Sequence, residues 1–141
     1  MNIMIIDQSV LIRNQLKEML CDLPGISIIC ETAGAAEALL FPFLSIVDLV
    51  ILDITACEGK GEHIIAQLKN ANSTLRVIVL SDHSDEIYRR LACSLGADVL
   101  LDKANEFTLL PEAIFSSPRV LISGSEWKGS HRKDSSSTTL I

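Results

Sequence analysis

Four side chains with the chemistry of a phosphoryl-binding site each follow a short apolar run of the sequence. Asp7, Asp53 and Ser81 come at the ends of three such runs, and Lys103 comes two residues after another. Hard cations such as Mg²⁺ prefer oxygen ligands, and they accept a few protein groups together with phosphate. A lysine and a hydroxyl bind phosphate oxygens through charge-assisted hydrogen bonds, and a carboxylate can itself be the nucleophile that receives the phosphoryl group. The four residue types therefore predict a site for a divalent cation and a phosphoryl group, provided that the fold brings them together.

The apolar runs predict the strands of a parallel sheet. Most are continuous and rich in β-branched residues, as in strands that are buried on both faces. They span residues 3–6, 26–29, 49–52, 77–80 and 99–101. Segments with helical spacing lie between them, and this alternation predicts an α/β fold, a (βα)5 doubly wound parallel five-stranded sheet. Ligands of such sheets bind beyond the carboxyl ends of the strands, where the four candidate residues would lie.

The helical segments show apolar stripes that we expect to pack against the sheet. The stripes are Leu11, Ile12, Leu16, Met19 and Leu20 in the first helix, Ile64, Ile65 and Leu68 in the third, and Ile87, Leu91 and Leu95 in the fourth. A weaker second helix is predicted from Ala35 to Phe41. The last helix is predicted from Phe107 to Phe115, with Pro111 in its first turn, where the missing N–H costs little.

The composition excludes several classes of function. The chain has 141 residues, a formal charge of −6 and 48% hydrophobic residues, which suits one domain with an ordinary core. The acidic balance argues against binding to nucleic acid or to anionic membranes. No apolar run approaches the ~20 residues that cross a bilayer, and the N-terminus lacks the basic region of a secretory signal. Four cysteines without metal-binding spacing then predict reduced thiols and a cytoplasmic location.

Residues 116–141 differ in composition from the rest of the chain. They hold four basic and two acidic side chains, so their balance is +2 while residues 1–115 carry −8. They are also rich in Ser, Thr and Gly and have no apolar periodicity. We therefore predict one domain over residues 1–115 and a flexible Ser/Thr-rich tail over residues 116–141. The tail is too short for a DNA-binding or enzymatic output domain, which predicts a single-domain protein.

The first 115 residues resemble a bacterial two-component response-regulator receiver domain, of the stand-alone chemotaxis type. The matching segments, in order and with the family's spacing, are IMIIDQSVLIR, DLVILDI, GKGEHII, VIVLSDHSDE and GADVLLDKANEFTLLPEAI. The resemblance implies that Asp53 accepts the phosphoryl group and that Ser81 and Lys103 bind it. It implies a Mg²⁺ site formed by Asp7, Asp53 and the backbone carbonyl of Thr55. It also implies a histidine kinase or phosphotransfer protein as the phosphate donor, a downstream protein as the target, and no enzymatic activity.

Several residues depart from the family's pattern. The family has two adjacent acids after the first strand, and here the second is Gln8, so we expect weaker Mg²⁺ binding, with the Gln8 carbonyl as the remaining candidate ligand. Asp82 stands where a small residue is common, and it either repels an incoming phosphate donor or supplies the missing carboxylate. Leu100 occupies the position of the family's switch aromatic. Ala104 replaces the proline that commonly follows the lysine.

The resemblance assigns the output surface to the fourth helix and the fifth strand. Its candidate residues are Tyr88, Arg90 and Leu100, and we expect Arg89 to face outward beside Tyr88 and Arg90. An ordinary solvated surface is the alternative interpretation of this helix.

Two other functions fit parts of the pattern. Gln8, Asp82 and Leu100 are consistent with an interaction module that works without phosphorylation. A haloacid-dehalogenase-like phosphatase also uses an Asp nucleophile, a Ser or Thr and a Lys on a parallel sheet. That class of enzyme needs a second Asp two residues after the nucleophile, and here Thr55 stands at that position.

Overall fold

Strands and helices alternate along the chain in the computed structural model, which describes residues 1–57, 60–82 and 85–116, the side chain of Glu62 excepted. The strands are β1 (Asn2–Ile6), β2 (Ser27–Thr32), β3 (Leu49–Asp53), β4 (Arg76–Ser81) and β5 (Val99–Asp102). The helices are α1 (Val10–Cys21), α2 (Ala35–Leu39), α3 (Gly61–Ala71), α4 (Glu86–Ser94) and α5 (Leu110–Phe115). The predicted (βα)5 order is confirmed. The predicted tail lies outside the described residues.

The five strands form one parallel sheet in the order β2-β1-β3-β4-β5. The register explains how the candidate residues come together. Ile6 of β1 is paired with Leu52 of β3, so the residues that follow them, Asp7 and Asp53, lie at the same level. Because all strands run in one direction, their carboxyl ends meet at a single edge of the sheet.

Alternate residues of each strand contribute to two apolar cores on opposite faces of the sheet. One core joins Met4 and Ile6 of β1 to α2, α3 and α4, and the other joins Ile3 and Ile5 to α1 and α5. All four of these side chains are fully buried, and burying a side chain of this size stabilises a fold by about 1.5–3 kcal/mol. Across the described ranges, no helix is long and apolar enough to span a bilayer.

Most of the predicted helical stripes pack as expected. Leu16 and Leu20 of α1 are fully buried, and all three predicted positions of α3 lie in the core. Pro111 lies in the first turn of α5, as predicted. Leu11 is an exception, because it is 66% exposed in the first turn of α1.

The fourth helix is present as predicted, but its predicted buried face is wrong. Ile87 is 81% exposed and Leu91 is 52% exposed, whereas Arg89, which we expected to face outward, is only 4% exposed. The helix therefore turns Arg89 toward the sheet, where it is paired with Glu106, and leaves two large apolar side chains in solvent. Tyr88 is half-buried and Arg90 is exposed.

Leu100 is also placed differently from the expectation. Its side chain is fully buried in the core between the sheet and helices α2 to α4. It therefore contributes no contact area to an output surface, and its assignment to that surface is corrected.

Candidate functional site

Asp7 is held in place by backbone groups on both sides of it. Its amide donates to the carbonyl of Thr32 at 3.0 Å, which extends the pairing of β1 with β2 by one residue. Its Oδ1 accepts a hydrogen bond from the amide of Ser9 at 2.8 Å, and the Ser9 hydroxyl caps α1 by accepting from the amide of Ile12 at 3.2 Å. The carboxylate is 1% exposed and points to the sheet edge where the strands end.

The Lys103 ammonium lies between the two buried carboxylates. Its Nζ is 3.2 Å from Asp7 Oδ2 and 3.2 Å from Asp53 Oδ1. Lys103 is placed by its own backbone, because its amide donates to the carbonyl of Ser81 at 2.9 Å. Burial lowers the pKa of Lys103, but the charges of Asp53 and Asp7 outweigh that effect and raise the pKa above its ordinary value. The lysine is therefore a fixed cation at neutral pH.

The Asp53 carboxylate, 3% exposed, receives two further hydrogen bonds from Thr55. The Thr55 amide donates to Oδ1 at 3.2 Å, and the Thr55 hydroxyl donates to Oδ2 at 2.7 Å. Sequence reasoning assigned a role only to the Thr55 carbonyl and missed this hydroxyl. The amide contact could be expected, since an Asp commonly accepts a hydrogen bond from the backbone two residues later, but the hydroxyl contact depends on the turn that follows β3. Both oxygens of the candidate nucleophile are thus engaged by neighbours.

The oxygen atoms at this edge are of the type that a hard cation binds, and they are few, as is usual for a Mg²⁺ site completed by water and phosphate. Asp7 Oδ2 is buried, and its partner among the described residues is the Lys103 ammonium at 3.2 Å, so a metal ion bound there would share this oxygen with the lysine. Gln8 is exposed, and its Nε2 donates to the carbonyl of Thr55 at 3.5 Å. Within residues 1–57, 60–82 and 85–116, no three His, Cys, Asp or Glu side chains cluster as a metal site. Two carboxylates and one carbonyl are available, and the exposed Asp82 adds no third acid.

Ser81 ends β4 at the same edge. It is fully buried, and it pairs with Asp102 of β5, next to Lys103. Asp53 pairs with Leu80, the residue before Ser81. The edge therefore brings Asp7, Asp53, Ser81 and Lys103 together. A set of one hydroxyl, one ammonium and two carboxylates is suited to hold a phosphoryl group that is attached to a carboxylate.

Cys57 is a buried thiol in the turn after β3. Burial, together with the charge of Asp53, raises its pKa to about 11, so the thiolate is scarce at neutral pH. The other three cysteines are free thiols as well. These observations argue against a reactive cysteine beside the site.

The family model of the response regulator receiver domain matches residues 3–115. The chain belongs to this family. The Fimbriae Z protein of Salmonella typhimurium is 24% identical over 123 residues, which are 87% of this chain and 57% of that relative. The receiver therefore spans a little over half the length of the curated relative.

Solved structures show the same receiver fold. A two-component response regulator of the LuxR family from Aurantimonas sp. SI85-9A1 has a TM-score of 0.72 and 22% identity, over 80% of this chain and 81% of that one. The isolated REC domain of RcsB from Salmonella enterica serovar Typhimurium, solved in the presence of the phosphomimetic BeF3-, has a TM-score of 0.72 and 18% identity, over 81% and 85% of the two chains. At these identities the likeness shows the fold.

Proposed function

We propose that this receiver accepts a phosphoryl group on Asp53 from a histidine kinase or phosphotransfer protein in the cytoplasm. The observation that supports the proposal is the Lys103 ammonium, which lies 3.2 Å from an oxygen of Asp53 and 3.2 Å from an oxygen of Asp7. A positive charge already placed against the nucleophile is available to the phosphoryl oxygens without reorganisation. The receiver domain of RcsB, which has this fold, is described in the presence of the phosphomimetic BeF3-, which is consistent with the proposal.

The transfer forms one bond and breaks one. An oxygen of Asp53 attacks phosphorus, and the bond between phosphorus and the donor atom breaks as the donor leaves with the bonding electron pair. Lys103 and Ser81 then hold the phosphoryl oxygens. Asp7, Asp53 and the Thr55 carbonyl are the residues that would hold Mg²⁺, which would supply further positive charge to those oxygens.

We further propose that the output of this receiver is contact with another protein. The formal charge of the chain is −6, which disfavours contact with nucleic acid. RcsB is described bound to a promoter, and that contact belongs to RcsB. An interaction module that works without phosphorylation remains the second candidate. The observation that favours it is the Gln8 amide, which points a hydrogen-bond donor at the carbonyl expected to bind the metal.

The test is the intact mass of the chain after incubation with acetyl phosphate. With millimolar Mg²⁺ we expect the addition of one phosphoryl group, and with a chelator present we expect much slower addition. If the mass stays unchanged at every Mg²⁺ concentration while the chain remains folded, the proposal is wrong and the second candidate is favoured.

Replacing Thr55 with Val is expected to speed phosphorylation. The substitution keeps the shape of the side chain and the backbone carbonyl, but it removes the 2.7 Å hydrogen bond to Asp53 Oδ2. A hydrogen bond to a carboxylate stabilises its ground state, so its loss should raise the rate by about three- to tenfold. Rates measured by mass at fixed acetyl phosphate check this, and an unchanged or slower rate would contradict it.

Replacing Gln8 with Asp is expected to strengthen Mg²⁺ binding about tenfold or more, because ligand charge strongly affects the affinity of such sites. The change removes the amide that donates to Thr55 and adds a third acid beside Asp7 and Asp53. Calorimetric titration with Mg²⁺ measures the effect. Gln15→Asp, at an exposed position of α1, adds the same charge elsewhere and should leave the affinity unchanged. Equal affinities for wild type and Gln8→Asp would remove position 8 from the metal site.

A further inference from the structure

Arg89 is a buried charge on a helix that exposes two large apolar side chains, Ile87 and Leu91. It is 4% exposed in the middle of α4, and a guanidinium at such a position must be paired to be tolerated. Its NH1 donates to the carbonyl of Leu100 at 2.7 Å, and its NH2 donates to Glu106 Oε1 at 2.8 Å. The first contact reaches β5, and the second reaches the loop between β5 and α5.

Glu106 connects this ion pair to the residue before Lys103. The same Oε1 atom also accepts from the amide of Asp102 at 2.8 Å, and the Glu106 amide donates to the carbonyl of Asp102 at 2.8 Å. The Asp102 carboxylate closes the turn by accepting from the amide of Ala104 at 2.8 Å. Lys103 therefore lies in a short hydrogen-bonded turn. The Glu106 carboxylate holds this turn through the Asp102 amide, and it is also the partner of Arg89.

We propose that Arg89 and Glu106 are positioning residues for Lys103, through which the placement of α4 sets the placement of the ammonium at the phosphoryl site. The link is short, because it consists of one ion pair, one hydrogen bond and one peptide unit. It is also buried, since the side chains of Arg89 and Glu106 are 4% and 13% exposed, so water competes little with it.

Because Leu100 is fully buried, the Arg89–Glu106 ion pair is left as a polar connection between the phosphoryl site and α4. A leucine side chain held in the core offers no hydrogen bond that could change partners when the site is modified. The Arg89–Glu106 pair can change partners in this way, because the strength of a charge-assisted hydrogen bond depends on its distance and geometry. The proposal rests on the proposed function in one respect, namely that Lys103 acts on a phosphoryl group.

The first test compares Arg89→Met with Arg90→Met. Arg90 is the next residue on α4, its side chain is 69% exposed, and its partner is Glu86 within the same helix, so it is a matched control. Amide hydrogen exchange, which needs no phosphate, should be about tenfold faster at Asp102 and Lys103 in Arg89→Met, because the carboxylate that holds the turn loses its cation. Exchange in β1 should not change, and in Arg90→Met exchange at Asp102 and Lys103 should equal that of the wild type. Unchanged exchange at Asp102 and Lys103 overturns the proposal even if the chain proves not to be phosphorylated.

The second test asks whether Arg89 acts through Lys103. Phosphorylation by acetyl phosphate is measured for wild type, Arg89→Met, Lys103→Gln and the double variant, at a Mg²⁺ concentration where circular dichroism shows all four folded. Arg89→Met should slow the wild type about fivefold and should add nothing in the Lys103→Gln background, since coupled residues are not additive. If the two substitutions slow phosphorylation independently, so that their factors multiply in the double variant, the proposal is wrong. Should Arg89→Met fail to fold, Glu106→Gln replaces it, because glutamine keeps the bond to the Asp102 amide and loses the charge that faces Arg89.

Discussion

Asp53→Asn is expected to gain no phosphoryl group under conditions where the wild type gains one. The amide that replaces the carboxylate has no nucleophilic oxygen able to form the acyl phosphate. The fold should persist, because the asparagine Oδ1 can still accept from the Thr55 amide and the asparagine Nδ2 can donate to the Thr55 hydroxyl oxygen that now bonds to Asp53 Oδ2. Removing one buried charge also leaves Asp7 and Lys103 as a simple pair. We expect a change in unfolding free energy within about 1 kcal/mol, measured by urea denaturation beside intact mass.

Asp82→Asn is the matched control for this experiment. Asp82 follows Ser81 at the same edge of the sheet, but its side chain is exposed, so removing its charge should leave phosphorylation intact. A faster rate in Asp82→Asn would show that this carboxylate repels the donor. If Asp53→Asn still gained the full mass, the acceptor would be another residue, and the assignment of Asp53 would be wrong.

Much of the fold could be predicted because its signals are local in the sequence. Apolar runs ending in Asp7, Asp53 and Ser81 mark strands buried on both faces, and parallel strands place their carboxyl ends at one edge. The structure places β1 beside β3 and pairs Ile6 with Leu52. Asp7 and Asp53 lie side by side for this reason, although 46 residues separate them in the sequence.

The orientation of α4 could not be predicted because its cause is distant in the sequence. Apolar spacing favoured burial of Ile87 and Leu91, and that pattern treats every charged residue as solvent-facing. Arg89 is buried because Glu106, 17 residues later, pairs with it. No periodicity within α4 contains this information. The Thr55 hydroxyl was missed for a different reason, since whether a side chain reaches its neighbour depends on the turn that follows β3.

Lys103→Met is expected to destabilise the chain by about 3 kcal/mol at neutral pH, because removing one partner of a buried ion pair leaves uncompensated charge. Here two buried carboxylates lose the cation that lies 3.2 Å from each of them. Adding Mg²⁺ should restore much of the loss, since a cation bound only by the folded chain stabilises it. The double variant Lys103→Met with Asp7→Asn should also recover part of the loss by removing the repulsion.

The loss of stability in Lys103→Met depends on pH because the pKa of Lys103 is raised in the folded chain. A basic group whose pKa is higher in the folded chain stabilises the fold fully below its unfolded pKa, and the contribution fades as pH rises through the folded value. The gap between wild type and Lys103→Met should therefore be constant from about pH 6 to 9 and should narrow above about pH 10.4. Lys69→Met is the control, because the described residues give Lys69 one carboxylate partner, Asp98 at 3.2 Å, and Asp98 keeps the bond from the Val77 amide. A loss in Lys69→Met as large as that in Lys103→Met would mean that Lys103 acts as an ordinary ion pair, and not as the cation on which two facing carboxylates depend.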